Sequence, residues 1–131
     1  MSHIQWMEVL GWSDKEVQDF RFVGYSYIRQ GKYDMALTIY NALVVLNPNS
    51  AYDLQTLGGL YLQMNNYLLA LNYIEQALKI EPRHLPTLLN RTKALYSLGY
   101  KKQAQAQALQ LQLSPDLFIQ RQATSLILAH S

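Results

Sequence analysis

Residues 17–50 read VQDFRFVGYSYIRQGKYDMALTIYNALVVLNPNS, and residues 51–84 read AYDLQTLGGLYLQMNNYLLALNYIEQALKIEPRH. Laid over each other without a gap, the two segments share seven identities, where ordinary residue frequencies would give about two. The identities are Asp19/Asp53, Gly24/Gly58, Tyr27/Tyr61, Tyr33/Tyr67, Ala36/Ala70, Leu37/Leu71 and Pro48/Pro82. A weaker third copy continues the register, with Gly99 two periods after Gly31. A fixed period of 34 residues predicts an array of stacked repeats.

Each repeat is predicted to contain two helices joined by a tight turn. Ser13 and Glu16 have the spacing of a capping box, so the first helix is expected to begin near Asp14. Apolar residues then recur at spacings of three and four until Gly31, which permits the left-handed turn that ends the helix. The second helix is expected to stop before Pro48, because proline moves the preceding residue out of helical geometry.

Small residues recur with the same period, which indicates that the two helices of each pair approach each other closely. A leucine at such a position would force the helices apart, because helix interfaces have no spare volume. The small residues are Gly24, Gly58, Ala36, Ala70 and Ala104.

The last third of the chain contains one conflicting pattern. Residues 103–113 alternate between Gln and apolar residues, and this period of two taken alone predicts a strand. Ala, Leu and Gln favour helices over strands, and the repeat register places this segment in a second helix, so we predict a helix. Ser114 as the cap and Pro115 at the first helical position then predict a final helix from Pro115 to about Ala129. At the other end, residues 4–10 are predicted to form a short helix that Gly11 ends.

The predicted architecture is a single all-α domain, residues 1–131, in which three helix-turn-helix repeats stack into a solenoid between two capping helices. The predicted segments are an N-terminal cap at 1–12, repeats at 13–50, 51–84 and 85–114, and a C-terminal capping helix at 115–131.

Composition excludes several classes of protein. Half of the 131 residues are hydrophobic and 15% are charged, which is typical of a folded domain. The chain has no cysteine, so disulfides and thiolate chemistry are excluded. The formal net charge of +2 is spread evenly, and without a basic stripe no nucleic-acid partner is expected. Apolar runs are far shorter than the roughly 20 residues that span a bilayer, so no membrane insertion is expected.

The sequence also lacks the motifs of catalytic and metal sites. His3, His84 and His130 lie far apart, with no second ligand at metal spacing. No phosphate-binding glycine loop, nucleophile elbow or two-histidine helix motif occurs. We therefore expect a protein that is not an enzyme and that uses no cofactor or metal.

Position by position, the repeats resemble the tetratricopeptide pattern over residues 17 to about 114. The matching places hold a large apolar residue, then a glycine, tyrosines, alanines and a closing proline. In the first two repeats they include Phe20, Leu54, Gly24, Gly58, Tyr27, Tyr61, Tyr33 and Tyr67. The resemblance implies a solenoid whose concave side is lined by the first helix of each pair.

A narrower likeness lies in the first two repeats. Bacterial type III secretion chaperones built from tetratricopeptide repeats are similar at Arg29-Gln30-Gly31-Lys32-Tyr33, at Ala36, Tyr40 and Ala42-Leu43, and at Leu57-Gly58-Gly59 through Gln63. The resemblance implies a non-catalytic protein of the bacterial cytoplasm that holds an export substrate, either a hydrophobic translocator or the needle filament subunit. The motif is closer to the translocator chaperones, but their longer N-terminal arm has no counterpart here, and we prefer the needle branch. That branch implies a second small helical co-chaperone as a further partner.

The resemblance to the tetratricopeptide pattern implies a groove lined by the second, fifth, ninth, twelfth and thirteenth residues of each repeat. The predicted peptide-binding residues are Arg21, Tyr25, Ile28, Arg29, Tyr52, Gln55, Gly59, Leu62, Leu89, Lys93 and Tyr96. This aromatic and aliphatic lining suits an amphipathic helix or an extended apolar segment. Arg21, Arg29 and Lys93 are expected to face its polar or acidic flanks.

Three other uses of the fold compete with this hypothesis. One is the carboxylate clamp that grips the acidic C-terminus of a heat-shock chaperone, which is disfavoured because Tyr25, Thr56 and Pro86 replace its Asn, Asn and Lys. Another is a generic adaptor or scaffold that joins proteins by its edges. The third is a homo-oligomer in which the N-terminal segment of a second copy fills the groove.

Overall fold

The computed structural model describes residues 5–131, and helices account for most of them. The helices are α1 (Trp6–Leu10), α2 (Asp14–Arg29), α3 (Tyr33–Leu46), α4 (Ala51–Gln63), α5 (Tyr67–Ile80), α6 (Leu85–Ser97), α7 (Lys101–Gln112) and α8 (Leu117–Ala129). No strand occurs between residues 5 and 131, which confirms the all-α prediction. The predicted first residue of α1, Ile4, lies outside the described residues.

Three helix pairs, α2–α3, α4–α5 and α6–α7, stack in chain order, with α8 packed on α6 and α7. The core runs between the pairs, where Tyr40, Leu43, Leu57, Ile74 and Leu95 are fully buried. The N-terminal segment lies on its own first repeat, because Met7 and Trp12 pack against the first core cluster.

Local signals in the sequence account for most helix ends. Ser13 and Glu16 form the predicted capping box, each side chain oxygen 3.4 Å from the backbone nitrogen of the other residue. Gly31 and Gly99 end the first helices of repeats one and three with φ of 72° and 86°. At the equivalent place of repeat two Asn65 adopts φ of 62°, because asparagine tolerates the left-handed region better than other residues with a side chain.

The predicted start of the last helix was wrong by two residues. Helix α8 begins at Leu117, and Asp116 is its N-cap, with a side-chain oxygen that accepts a hydrogen bond from the Ile119 nitrogen at 3.1 Å. The Ser114 hydroxyl accepts a hydrogen bond from the Asp116 nitrogen, so Pro115 lies in the turn. Aspartate caps a helix as well as serine does. Asp116 is the cap here, and Ser114 instead accepts a hydrogen bond within the preceding turn. The alternating segment 103–113 is helical through Gln112, as predicted.

The small residues of the repeat lie where helices meet. A Cβ atom on Gly24 would be 2.8 Å from Cε2 of Tyr40, and one on Gly58 would be 2.8 Å from Cγ1 of Ile74. Both distances are far below van der Waals contact, so neither position can hold a methyl group unless the facing side chain of the partner helix shifts. The predicted close approach of paired helices is confirmed.

Replacing either of two adjacent glycines, Gly58 and Gly59, by alanine should change the stability of the protein in opposite directions. Gly58→Ala is expected to destabilise the protein by about 1–3 kcal/mol through overpacking against Ile74. Gly59→Ala is expected to stabilise it by about 0.5–1 kcal/mol, because the nearest atom to the added Cβ is Asn90 Nδ2 at 3.8 Å and alanine favours the helix. Urea denaturation followed by circular dichroism measures both changes, and equal shifts of the two variants would contradict the packing described.

Candidate functional site

The first helices of the repeats are not evenly spaced. Helix α4 packs against α6, and α6 packs against α8, but no Cα atom of α2 lies within 8 Å of one in α4. The stack is therefore open between α2 and α4, and we call this space the α2–α4 cleft. It contains two cavities of about 260 Å³ each.

The first cavity, which we call the aromatic cavity, is lined by Gln18, Arg21, Phe22, Tyr25 and Tyr52. Its three rings are 68%, 42% and 48% exposed for Phe22, Tyr25 and Tyr52. Exposed aromatic rings with few rotatable bonds offer a large apolar contact area at a low entropic cost, so they are typical anchors for a protein partner.

Phe22 is the residue of this cavity that the sequence prediction missed. It occupies the sixth place of the repeat, outside the predicted groove-facing places. The sequence could have indicated Phe22, because it is a large apolar residue that lies outside the predicted buried stripe of its helix and is therefore expected on the surface.

The second cavity, which we call the glycine cavity, is lined by Ile28, Tyr33, Thr56, Gly59, Leu60 and Gln63. Ile28 and Gly59 were predicted groove residues. Tyr33, Thr56 and Leu60 were not, because their contribution depends on how far apart the two helices lie. Gly59 leaves its helix surface bare, so a ligand backbone can come close to α4.

An ion pair joins the two walls beside the aromatic cavity. Arg21 Nε lies 2.6 Å from Asp53 Oδ1, and Nη2 lies 2.7 Å from Oδ2, a bidentate geometry. The Asp53 side chain is fully buried, and that of Arg21 is 19% exposed. The hydrogen bond to Asp53 raises the pKa of Arg21 above its usual value. Arg21 is therefore a neutralised wall residue, and the expectation that it faces an acidic flank of the ligand does not fit this structure.

Tyr40 lies behind this ion pair. Its ring packs against Gly24, and its buried hydroxyl has no hydrogen bond of good geometry. Burial raises the pKa of Tyr40, and the neighbouring Tyr52 and Asp53 raise it further. The Tyr40 hydroxyl thus stays protonated and uncharged at neutral pH, and the fully buried Tyr40 side chain does not line the aromatic cavity.

The predicted groove residues of the third repeat lie under the C-terminal helix. Leu89 is buried in a cluster with Ile119 and Ala123 of α8. Tyr96 is also buried, and its ring stacks on that of His130 with the centroids 4.1 Å apart. Helix α8 stands where the first helix of a further repeat would pack, so Leu89 and Tyr96 are core residues here and are not exposed to a ligand.

The remaining predicted residues, Arg29, Gln55, Leu62 and Lys93, line neither cavity of the cleft. Arg29 is exposed, with its Cζ atom 6.0 Å from the centre of the Tyr25 ring. Gln55 donates a hydrogen bond to Glu81 at 3.0 Å. Leu62 and Lys93 are half-buried. The cleft thus brings together five of the eleven predicted residues: Arg21, Tyr25, Ile28, Tyr52 and Gly59.

Other kinds of site find no support in the described residues. Within residues 5–131 no three His, Asp or Glu side chains are grouped so that they could hold a metal ion. In the same range no helix has the length and apolarity needed to cross a bilayer.

Residues 24–113 match the tetratricopeptide repeat family. The chain belongs to this family. The match runs from the second half of α2 to the end of α7 and confirms the solenoid predicted from the period. No curated protein matches the chain significantly.

Solved structures of other tetratricopeptide repeat proteins have the same fold. The Yersinia enterocolitica type III secretion chaperone SycD, in complex with a peptide of the translocator YopD, has a TM-score of 0.77 at 16% identity, with 91% of this chain and 98% of that chain covered. A type III secretion complex from Aeromonas hydrophila gives 0.78 at 18% identity, covering 97% and 86%. The first repeat domain of Spaghetti (RPAP3), bound to the HSP90 peptide SRMEEVD, gives 0.78 at 18% identity, covering 89% and 94%. At these identities the similarity establishes the fold alone.

Equivalent aspartates of the first two repeats should differ sharply in their effect on stability. Asp53→Ala is expected to destabilise the protein by about 3 kcal/mol, because it leaves the Arg21 guanidinium partly buried without its partner. Asp19→Ala, which removes an exposed ion pair with Lys15, should change stability by less than about 0.5 kcal/mol. Denaturant unfolding of both variants measures the difference, and similar losses would show that the Arg21–Asp53 pair has no special role in the fold.

Proposed function

We propose that the protein is a non-catalytic chaperone of the bacterial cytoplasm, which holds an apolar or amphipathic segment of a type III secretion substrate in the α2–α4 cleft. The observation that carries the proposal is the exposed aromatic cavity. Three exposed rings, those of Phe22, Tyr25 and Tyr52, line one cavity in which the charge of Arg21 is paired with that of Asp53. Covering the apolar face of a substrate would lower its free monomer concentration and prevent early assembly by mass action.

The size of the cleft supports a peptide or a single helix as the ligand. Two cavities lie side by side along α2, with Tyr25 in the first and Ile28 in the second, about one helical turn apart. Apolar side chains separated by one turn of a bound helix could fill both cavities together. The bare surface at Gly59 favours close approach of the ligand backbone at the second cavity.

The type III assignment rests on the local resemblance around Arg29-Gln30-Gly31-Lys32-Tyr33 and on the fold shared with SycD and with the Aeromonas hydrophila complex. Within that assignment we favour the needle filament subunit over the translocators as the substrate. A second small helical co-chaperone is then a further partner.

The competing function is a generic tetratricopeptide adaptor. Its carboxylate-clamp form is disfavoured, because Tyr25, Thr56 and Pro86 replace the clamp residues and Arg21 already binds Asp53. An adaptor that joins two folded proteins by its edges would leave the cleft empty. The two functions therefore differ in whether the cleft is needed for binding.

The test is co-expression with the needle subunit and with each hydrophobic translocator of the same host, followed by size-exclusion chromatography and mass measurement. We expect a stable complex with one of these substrates. Tyr25→Glu combined with Tyr52→Glu should weaken that complex at least about tenfold, because two anchor rings are replaced by charges that oppose apolar burial.

The matched control is Val45→Glu combined with Leu68→Glu. These apolar residues are as exposed as the two tyrosines and line neither cavity of the cleft. The control should bind like the wild-type protein, and melting curves should show both double variants folded. Binding that survives in the cleft variant, or is lost equally in the control, would favour the edge-binding adaptor.

A further inference from the structure

We propose that Asp53 is a specificity-determining residue, which makes the aromatic cavity select an uncharged apolar side chain over a carboxylate. This inference rests on the proposed function, because it concerns the chemistry of the segment that the cleft holds.

The Asp53 carboxylate occupies the two donors, Nε and Nη2, on one edge of the Arg21 guanidinium. Both Nε and Nη2 of Arg21 donate to Asp53 oxygens at 2.6 and 2.7 Å, in the fork geometry that an incoming carboxylate would otherwise use. The Asp53 carboxylate is fully buried and is fixed on the first turn of α4, where its backbone nitrogen donates to the Ser50 hydroxyl. A ligand therefore cannot reach Asp53 or displace it without opening the helix packing.

The charge of the cavity lining follows from this pairing. Gln18, Phe22, Tyr25 and Tyr52 are neutral, so the Arg21 charge is the only one in the lining, and Asp53 cancels it. Without Asp53, three aromatic rings would surround a free guanidinium, which is an arrangement that attracts a carboxylate. With Asp53 in place, a carboxylate that enters the cavity finds Nε and Nη2 of Arg21 already bound and gains no bidentate partner there.

The repeat itself shows that the aspartate has two different roles. Asp19, the equivalent residue of the first repeat, is 68% exposed and pairs with the exposed Lys15 on the helix surface. Aspartate thus stands at the same place in both repeats, but only Asp53 of the second repeat pairs with an arginine of the cavity lining, Arg21. Asp19 is accordingly a matched control position.

One cation, Arg29, lies close to the aromatic cavity without lining it. Arg29 is exposed one helical turn beyond Tyr25 and does not line the aromatic cavity. An acidic residue of the ligand can meet Arg29, while the aromatic cavity takes its apolar neighbour. The bound segment should therefore carry an apolar anchor residue and, about one helical turn further along, an acidic or uncharged residue that can lie beside the positive charge of Arg29.

The experiment compares two short blocked alanine peptides that differ only in one central residue, Phe or Glu. Binding is followed by NMR through the ring resonances of Tyr25 and Tyr52. The wild-type protein should bind the Phe peptide at least about tenfold more tightly than the Glu peptide. In Asp53→Asn the Glu peptide should gain about tenfold in affinity, since a hydrogen bond to a free guanidinium becomes available, while affinity for the Phe peptide changes less than about twofold.

Three further variants separate selectivity from stability. Asp19→Asn should behave like the wild-type protein, because Asp19 pairs with Lys15 on the exposed helix surface. The pair Arg21→Gln with Asp53→Asn removes both charges, so it should not gain affinity for the Glu peptide as Asp53→Asn does. Gln18→Arg adds an unpaired guanidinium to the same cavity and leaves the buried pair intact, so it should also gain affinity for the Glu peptide. If Asp53→Asn does not fold, the result for Gln18→Arg decides.

The inference is overturned if a folded Asp53→Asn variant gains no affinity for the Glu peptide, or if Asp53→Asn does not fold and Gln18→Arg gains none. It is also overturned if neither peptide shifts the Tyr25 and Tyr52 resonances. Both results leave the co-expression test intact, because complex formation with a secretion substrate is measured separately. Conversely, correct discrimination between the peptides without any secretion-substrate complex would overturn the proposed function and leave the role of Asp53 standing.

Discussion

The closeness of the paired helices is the constraint on which the rest of the structure depends. At Gly24 and Gly58 the partner helix lies so near that a single Cβ atom would sit 2.8 Å from a neighbouring side chain. Each pair therefore packs closely as one unit, and the three units stack side by side. The shape of the binding surface is decided by how these units are spaced.

That spacing is uneven, and the α2–α4 cleft follows from the unevenness. Helix α6 packs against both α4 and α8, but no Cα atom of α2 lies within 8 Å of one in α4. The two helices meet through side chains: Val17, Leu57 and Leu60 share one core cluster, and Arg21 reaches across to the buried Asp53. The ion pair thus joins the two walls of the cleft and pairs the one charge in the lining of the aromatic cavity.

The C-terminal helix limits the binding surface at the other end. Leu89 and Tyr96 would line an open groove if the stack ended at α7, but α8 covers both. Burying them in the core stabilises the last repeat, and the α2–α4 cleft lies in the first two repeats. A protein of this family can therefore position its site by the placement of a capping helix as well as by the residues of the repeats.

The sequence by itself determined the helix pairs, because their causes are local: the period of 34 residues, the Ser13 capping box, the turn at Gly31 and the small residues at Gly24 and Gly58 all act within one repeat. It also predicted that Tyr25, Tyr52 and Gly59 share the concave side, since a helical period fixes which residues share a face, and all three line the cleft. Only the tertiary structure decided that Phe22 joins the aromatic cavity, that Leu89 and Tyr96 are covered, and that Arg21 is neutralised by Asp53 from another helix. These outcomes depend on distances between helices far apart in the chain, and no repeat pattern encodes such distances.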